Sequence, residues 1–151
     1  MQINTHLFGE LNITEKDLIN FPEGIPGFES DKQYILLPLE EKAPFYYLQS
    51  VNTSDLCLLM IDPFMFFSDY QIELSESAIK QLQLPSDKPP IAVYCILTIP
   101  GDFKLATANL MAPIIINAEK KLGLQFISEK TDYITKHPIF PAAKPVAEEG
   151  K

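Results

Sequence analysis

Arginine is absent from this chain: its twelve cations are all lysines, set against twenty acids for a formal charge of −8. Binding nucleic acid calls for clustered cations on the phosphates, and reading guanine edges is mainly an arginine task. Direct nucleic-acid binding is therefore not expected. Cysteine is scarce too. Cys57 and Cys95 sit inside apolar runs with no Cys-x-x-Cys spacing and read as buried free thiols, small hydrophobes in a core, with a strand-bridging disulfide as the alternative. The two histidines, His6 and His137, lie near opposite ends and form no His-Glu-x-x-His. There is no Gly-x-Ser-x-Gly elbow, no phosphate-cradling glycine loop and no dinucleotide fingerprint. Asp55, Asp62 and Asp69 recur every seven residues, but they punctuate strands and turns and lack the central glycine and terminal glutamate of a calcium loop. No catalysis, cofactor or metal is expected.

Long apolar runs are missing as well. Pro63, Pro100 and Pro113 interrupt them well short of the roughly 20 residues a membrane helix needs. The start, Met1-Gln2-Ile3-Asn4, lacks the basic and apolar stretches of a signal peptide. A cytoplasmic location with no membrane partner is the expectation.

What is present is the material for one packed domain: 151 residues, 46% hydrophobic and 21% charged, close to ordinary globular usage. Short apolar segments separated by turn residues predict strands over 2–7, 9–13, 34–39, 45–51, 56–61, 70–74, 91–99, 106–109, 112–117 and 124–127. Segment 70–74 alternates, so one face is expected on the core; 91–99 is apolar throughout, as in a central strand covered on both sides. One helix is expected. Ser75 caps it, Ala78, Ile79 and Leu82 share a face, and Pro85 stops it. A single turn is expected at 14–18, where Thr14 and Asp17 suggest a capping box. Without strands alternating with long helices a parallel sheet is disfavoured. The fold class is mostly all-β: an antiparallel β-barrel or strongly bent sandwich with one short helix, closed to remove free edges.

Thirteen prolines against six glycines make the turns stiff. The segment Phe21-Pro22-Glu23-Gly24-Ile25-Pro26-Gly27-Phe28 predicts consecutive type II turns pinned by its two phenylalanines. Residues 1–139 are expected to form a single β domain, and 140–151 a disordered tail. Residues 1–75 hold twelve acids and three lysines, residues 76–151 eight acids and nine lysines. The acidic half serves either as a solvated surface or as a field that steers a basic partner. Asn109 and Asn117 bracket an apolar run and are expected to satisfy turn backbone. With no coiled coil or long exposed apolar face, a monomer is expected.

The most unusual stretch is Asp62-Pro63-Phe64-Met65-Phe66-Phe67-Ser68-Asp69-Tyr70, where a hairpin turn would ordinarily be polar. Alternation cannot bury all four large apolar side chains on one face. Part of this stretch is either a plug for the barrel end or an exposed anchor for a protein partner.

At these residues the chain resembles the flagellar assembly factor FliW family. The carrying segments, in order, are Phe21-Pro22-Glu23-Gly24-Ile25-Pro26-Gly27-Phe28-Glu29, Pro44-Phe45-Tyr46-Tyr47-Leu48-Gln49-Ser50-Val51, and Asp62-Pro63-Phe64 with Asp69-Tyr70. Thr98-Ile99-Pro100-Gly101-Asp102 and Thr107-Ala108-Asn109-Leu110-Met111-Ala112-Pro113-Ile114-Ile115-Ile116-Asn117 complete them. The resemblance reaches to about Pro138 and leaves out the tail from Phe140. It implies a non-enzymatic, β-barrel-like cytoplasmic protein that binds newly made flagellin as a chaperone and also binds the RNA-binding regulator CsrA. Flagellin export would free this antagonist to capture CsrA, allosterically, and lift repression of flagellin translation. An acidic, arginine-free chain suits a basic RNA-binding partner, and an aromatic patch suits the apolar face of an amphipathic helix. The contact candidates are Phe64, Phe66, Phe67, Asp69, Tyr70, Ile72 and Glu73. Core packing for Phe64 and Ile72, and plain solvated charge for Asp69 and Glu73, are the competing roles. Phe67→Ala is expected to weaken partner binding by about 1–3 kcal/mol while leaving folding intact. Two rival readings stand beside this one: a small-molecule-binding barrel lined by Phe45, Tyr46, Tyr47 and Tyr94, and a hydrolase assembled from scattered carboxylates or the two histidines.

Overall fold

The computed structural model describes residues 1–39, 44–85, 90–128 and 132–140. β-Branched and aromatic side chains at alternate positions favour extended backbone, and the prolines and glycines cut it into short lengths. In chain order the strands are β1 (Gln2–Thr5), β2 (Gly9–Asn12), β3 (Ile19–Asn20), β4 (Gln33–Pro38), β5 (Phe45–Ser50), β6 (Cys57–Ile61), β7 (Ile91–Thr98), β8 (Thr107–Ala108), β9 (Ile114–Asn117), β10 (Leu122–Gln125) and β11 (His137–Pro138). Helices α1 (Pro63–Phe66) and α2 (Glu76–Gln81) fall between β6 and β7.

Strands β3 to β7 form an antiparallel meander, and β10 and β9 return to close it, β9 pairing with β7. The result is the expected barrel, of seven strands. Its one parallel contact is Leu122 beside Asn20, where β10 meets β3. Strand β7 is the seam. Its residues 91–94 pair with β9, while Leu97 and Thr98 pair with β8, which carries β11 outside it. Strands β1 and β2 form a separate hairpin.

Period-two alternation sorts the apolar residues into three packed layers. Tyr34, Leu48, Met60, Tyr94, Ile114 and Ile116 point inward and, with Phe21, fill the lumen. Ile61, Val93, Cys95, Leu97, Ile115 and Leu124 point outward and are covered by Tyr70, Ala78, Leu82 and Ile139. Ile35 on the outer face of β4 lies under Ile3, Ile13 and Leu18. Strand β7 is thus covered on both sides, as its unbroken hydrophobicity predicts.

Glycine matters at the lumen and in the proline-rich loop. A Cβ on Gly123 in β10 would stand 2.5 Å from the fully buried Phe21 ring, so only glycine lets that ring plug the barrel. In the loop, Pro26 and Gly27 make the expected type II turn, with Gly27 at φ 92° and Phe28 N–H donating to the Ile25 carbonyl at 2.6 Å. The first turn differs. Gly24 falls one position too late: its N–H closes the turn on Phe21 O at 2.8 Å, and Glu23 keeps a negative φ, which excludes type II.

Other expectations also need correction. Segment 70–74 is extended but joins no sheet; Tyr70, Ile72 and Leu74 alternate because they anchor on the outer core, not because they pair. Residues 62–67 form a helical turn rather than a hairpin, so the described residues hold two α-helices where one was expected. The Ser75 hydroxyl caps α2 by accepting from Ala78 N–H at 3.1 Å, but the helix ends well before Pro85, followed by a left-handed Gln83 at φ 54°. The two-residue strands β3 and β11 carry no periodicity to read. The turn at Glu15–Asp17 forms as expected, with the Asp17 carboxylate accepting from Thr14 N–H at 2.9 Å. Cys57 and Cys95 are free, and burial pushes their thiols up to about 11 and about 12. Asn109 and Asn117 accept from Ala112 and Glu119 N–H, each at 3.0 Å, as turn-satisfying residues should. Of the expected tail, Phe140 packs on the outer core, and residues 141–151 lie outside those described.

Candidate functional site

The Asp62-Pro63 pair starts α1. Asp62 accepts from Phe64 N–H at 2.9 Å, and Pro63 occupies the first helical position, where no N–H is needed. One helical turn sends consecutive side chains in different directions, which a strand would not do. Phe64 and Met65 turn outward, 45% and 67% exposed. Phe66 and Phe67 turn back and are half-buried.

The inward side of α1 rests on an aromatic base. Phe66 meets Phe45 and Phe140 with centroids 5.8 and 6.5 Å apart, and Phe103 meets the same two rings at 5.8 and 5.3 Å. Four phenylalanines from β5, α1, the 103–105 turn and the end of β11 thus close a ring of contacts. Phe67 packs edge-on against the His137 imidazole at 4.8 Å, and Phe64 against Tyr70 at 5.7 Å. Such pairs contribute beyond their buried area.

The contact candidates divide accordingly. Tyr70 is buried: its hydroxyl donates to the Leu110 carbonyl at 2.8 Å, its ring lies 4.7 Å from Tyr133, and burial drives its pKa far above the ordinary tyrosine value. It supports the surface from beneath. Ile72 is half-buried on the same core, while Asp69 and Glu73 are exposed beside it. Phe64 carries the open aromatic face; Phe66 and Phe67 hold it in place. Sequence reasoning passed over Met65, which is more exposed than Phe64, and Phe103, 44% exposed. For Met65 the Asp62-Pro63 pair signalled a helical turn, but not which of its side chains face outward. For Phe45, Phe103 and Phe140 no local signal existed, since their meeting depends on the barrel.

The arrangement carries little reactive chemistry. Among the described residues there is no group of three or more His, Cys, Asp or Glu placed to hold a metal. His6 is exposed and far in sequence from His137, whose Nδ1 lies 2.8 Å from the Pro138 carbonyl. The four aromatic residues assigned to a ligand-lined lumen do not share one cavity. Tyr46 and Tyr94 pack edge-on inside at 4.9 Å, whereas Phe45 and Tyr47 sit on the opposite parity of β5 and face outward, Phe45 in the phenylalanine ring and Tyr47 against Phe8.

A filled seven-strand barrel with an apolar platform on a helical turn outside it defines a small β-barrel protein with an exposed apolar surface. Comparison with known proteins makes the class specific. The sequence model of the family described as FliW protein matches residues 2–139, and the chain belongs to that family. It is 49% identical over 140 residues to the flagellar assembly factor FliW of Syntrophomonas wolfei, covering 93% of this chain and 89% of that one. The flagellar assembly factor FliW of Geobacillus kaustophilus is likewise 49% identical over 141 residues, with 93% and 96% covered. A crystal structure of the flagellar assembly factor FliW superposes with a TM-score of 0.88 at 45% identity, covering 95% of this chain and all of that one.

Proposed function

We propose that this chain is a non-enzymatic, cytoplasmic protein-binding regulator of flagellar assembly. It holds newly made flagellin as a chaperone, and once flagellin is exported it captures a CsrA-type RNA-binding regulator and so restores flagellin translation. Family membership supports the flagellar role. The observation that carries the binding reading is the exposed Phe64–Met65 pair on a rigid aromatic base: apolar area held in water at a fixed geometry suits the hydrophobic stripe of an amphipathic helix. The surplus of acids and the lack of arginine suit a basic second partner and oppose direct RNA binding.

A calorimetric titration with purified CsrA-type regulator, repeated with saturating flagellin, tests this. Saturable binding that flagellin abolishes is the expected result. Simultaneous, independent binding of both partners would remove the switching mechanism, and no binding to either active partner would remove the whole reading.

A further inference from the structure

At the end of the barrel away from the platform, residues from the β1–β2 hairpin, β3, β4, the start of β7 and the β9–β10 turn surround a cleft of about 360 Å³. Ala92 in this cleft and Leu97, which pairs with β8, are about 17 Å apart along β7 at 3.3–3.4 Å per residue. A cavity of roughly 150 Å³ is enough to hold a benzene ring, and ligand pockets begin near 300 Å³. We propose that this cleft binds a medium-chain aliphatic monocarboxylate, a site independent of the partner-binding reading above.

Its floor and walls are largely aliphatic: Leu11, Ile13, Leu37, Ala92 and Ile116, with Tyr94 at the inner end. Behind Tyr94 the lumen is closed by Tyr46 at 4.9 Å, so an occupant stays short and keeps its head at the mouth. The polar groups are few and lie at the rim: Asn12, Asp17 and Lys121. Asp17 is turned toward its own helical turn, its Oδ2 accepting from the Thr14 N–H at 2.9 Å and facing the Thr14 hydroxyl at 3.4 Å. Lys121 is different. Its backbone is fixed, left-handed at φ 54° with its carbonyl accepting from Asn20 N–H at 2.9 Å, its side chain is half-buried against the cleft, and no ion pair holds its ammonium among the described residues. An alkyl chain along the aliphatic wall, with a carboxylate at Lys121, satisfies both parts of the site. Because the protein as a whole is anionic, long-range attraction does not bring such a ligand in; the short-range fit at Lys121 must.

Octanoate titrated into the full chain, followed by amide NMR and calorimetry, is the test, with octanol as the uncharged control. The expected result is saturable one-to-one binding that moves Leu37, Ile116 and Lys121 and leaves Phe64 and Met65 unmoved, with octanol weaker. Lys121→Gln is expected to weaken octanoate about two- to five-fold, the range of a partly exposed ion pair, and to leave octanol unchanged. Ala118→Trp, at an exposed rim position, is expected to block both by at least about ten-fold through loss of apolar contact. Absence of saturation, equal affinity for octanol and octanoate, or shifts confined to Phe64 and Met65 would each overturn the proposal. Lys121→Gln and the head-group comparison decide the matter even if Ala118→Trp fails to fold.

Discussion

The lumen and the platform use the same building blocks for opposite ends. Inside, Phe21 stands edge-on to Tyr34 at 5.1 Å and both are fully buried. Outside, Phe64 stands edge-on to Tyr70 at 5.7 Å, yet 45% of Phe64 remains in water. Full burial of a large apolar side chain stabilises a fold by about 1.5–3 kcal/mol. Phe21 realises that gain on folding, while Phe64 leaves nearly half of its apolar area in water. The geometry of an aromatic pair therefore says little about its role; what decides is whether a third layer covers it. The lumen is covered by strands on every side. The platform has a base, and among the described residues nothing covers Phe64 and Met65 as strands cover the lumen.

Mutations can break this contrast. The largest expected effect is in the lumen: Phe21→Ala should lower stability by about 3–5 kcal/mol, read as a fall in the chemical denaturation midpoint, because the barrel closes around that ring. Gly123→Ala presses on the same ring from the other side. An overpacking cost of about 1–3 kcal/mol is expected, and an unchanged midpoint would mean that Phe21 moves freely. On the platform the two readouts should separate. Met65→Lys is expected to leave stability within about 0.5 kcal/mol while reducing partner affinity by about 1–3 kcal/mol in a calorimetric titration. Phe67→Ala, which the sequence alone suggests would leave folding intact, should lower both, since its half-buried ring packs on the outer core and His137. Equal losses of stability for Met65→Lys and Phe67→Ala would make the platform merely a piece of core. The smallest effect is expected in the proline loop. The Gly27 N–H, 3.1 Å from the Glu29 carboxylate, holds that acid below its ordinary value of 4.5. The folded state thus favours the ionised form. The stabilisation is complete above the ordinary value and disappears as pH falls through the lowered one, which the carboxyl carbon shift of Glu29 would report.

The same contrast explains which parts of the structure were legible in the sequence. Where the faces of a strand are covered, as in β4 with Tyr34 and Leu36 inward and Ile35 outward under the first hairpin, or in β7, the hydrophobic pattern revealed it. The capped helix α2 was legible because Ser75 and the spacing of Ala78 and Leu82 are local signals. The 62–74 segment was misjudged for a physical reason. Period two reports which side chains are buried, not whether the backbone has a partner, and Tyr70, Ile72 and Leu74 pack against the outer core without pairing. Asp62-Pro63 did carry a helix-start signal, outweighed in the reading by the β-rich residues that follow. The parallel contact of Asn20 with Leu122 and the meeting of Phe45, Phe103 and Phe140 join residues far apart in the chain, so no window of sequence contains them. For the candidate surface, the sequence pointed to the stretch 64–73, which the structure divides into exposed and buried positions. The outward positions within it, Phe64 and Met65 rather than Tyr70, needed the helical turn.

The seam at β7 has a consequence for synthesis. A nascent chain that has emerged only as far as Ile61 possesses β3 to β6, a four-stranded meander with both lateral edges open and the inner apolar face uncovered. The β6 edge is sealed only when β7 arrives about thirty residues later, and the β3 edge only when β10 does, about sixty residues later, with β9 joining β7 to β10. The barrel is therefore an all-or-none product of nearly the whole chain, and its ribosome-bound first half is the form most exposed to mispairing and proteolysis.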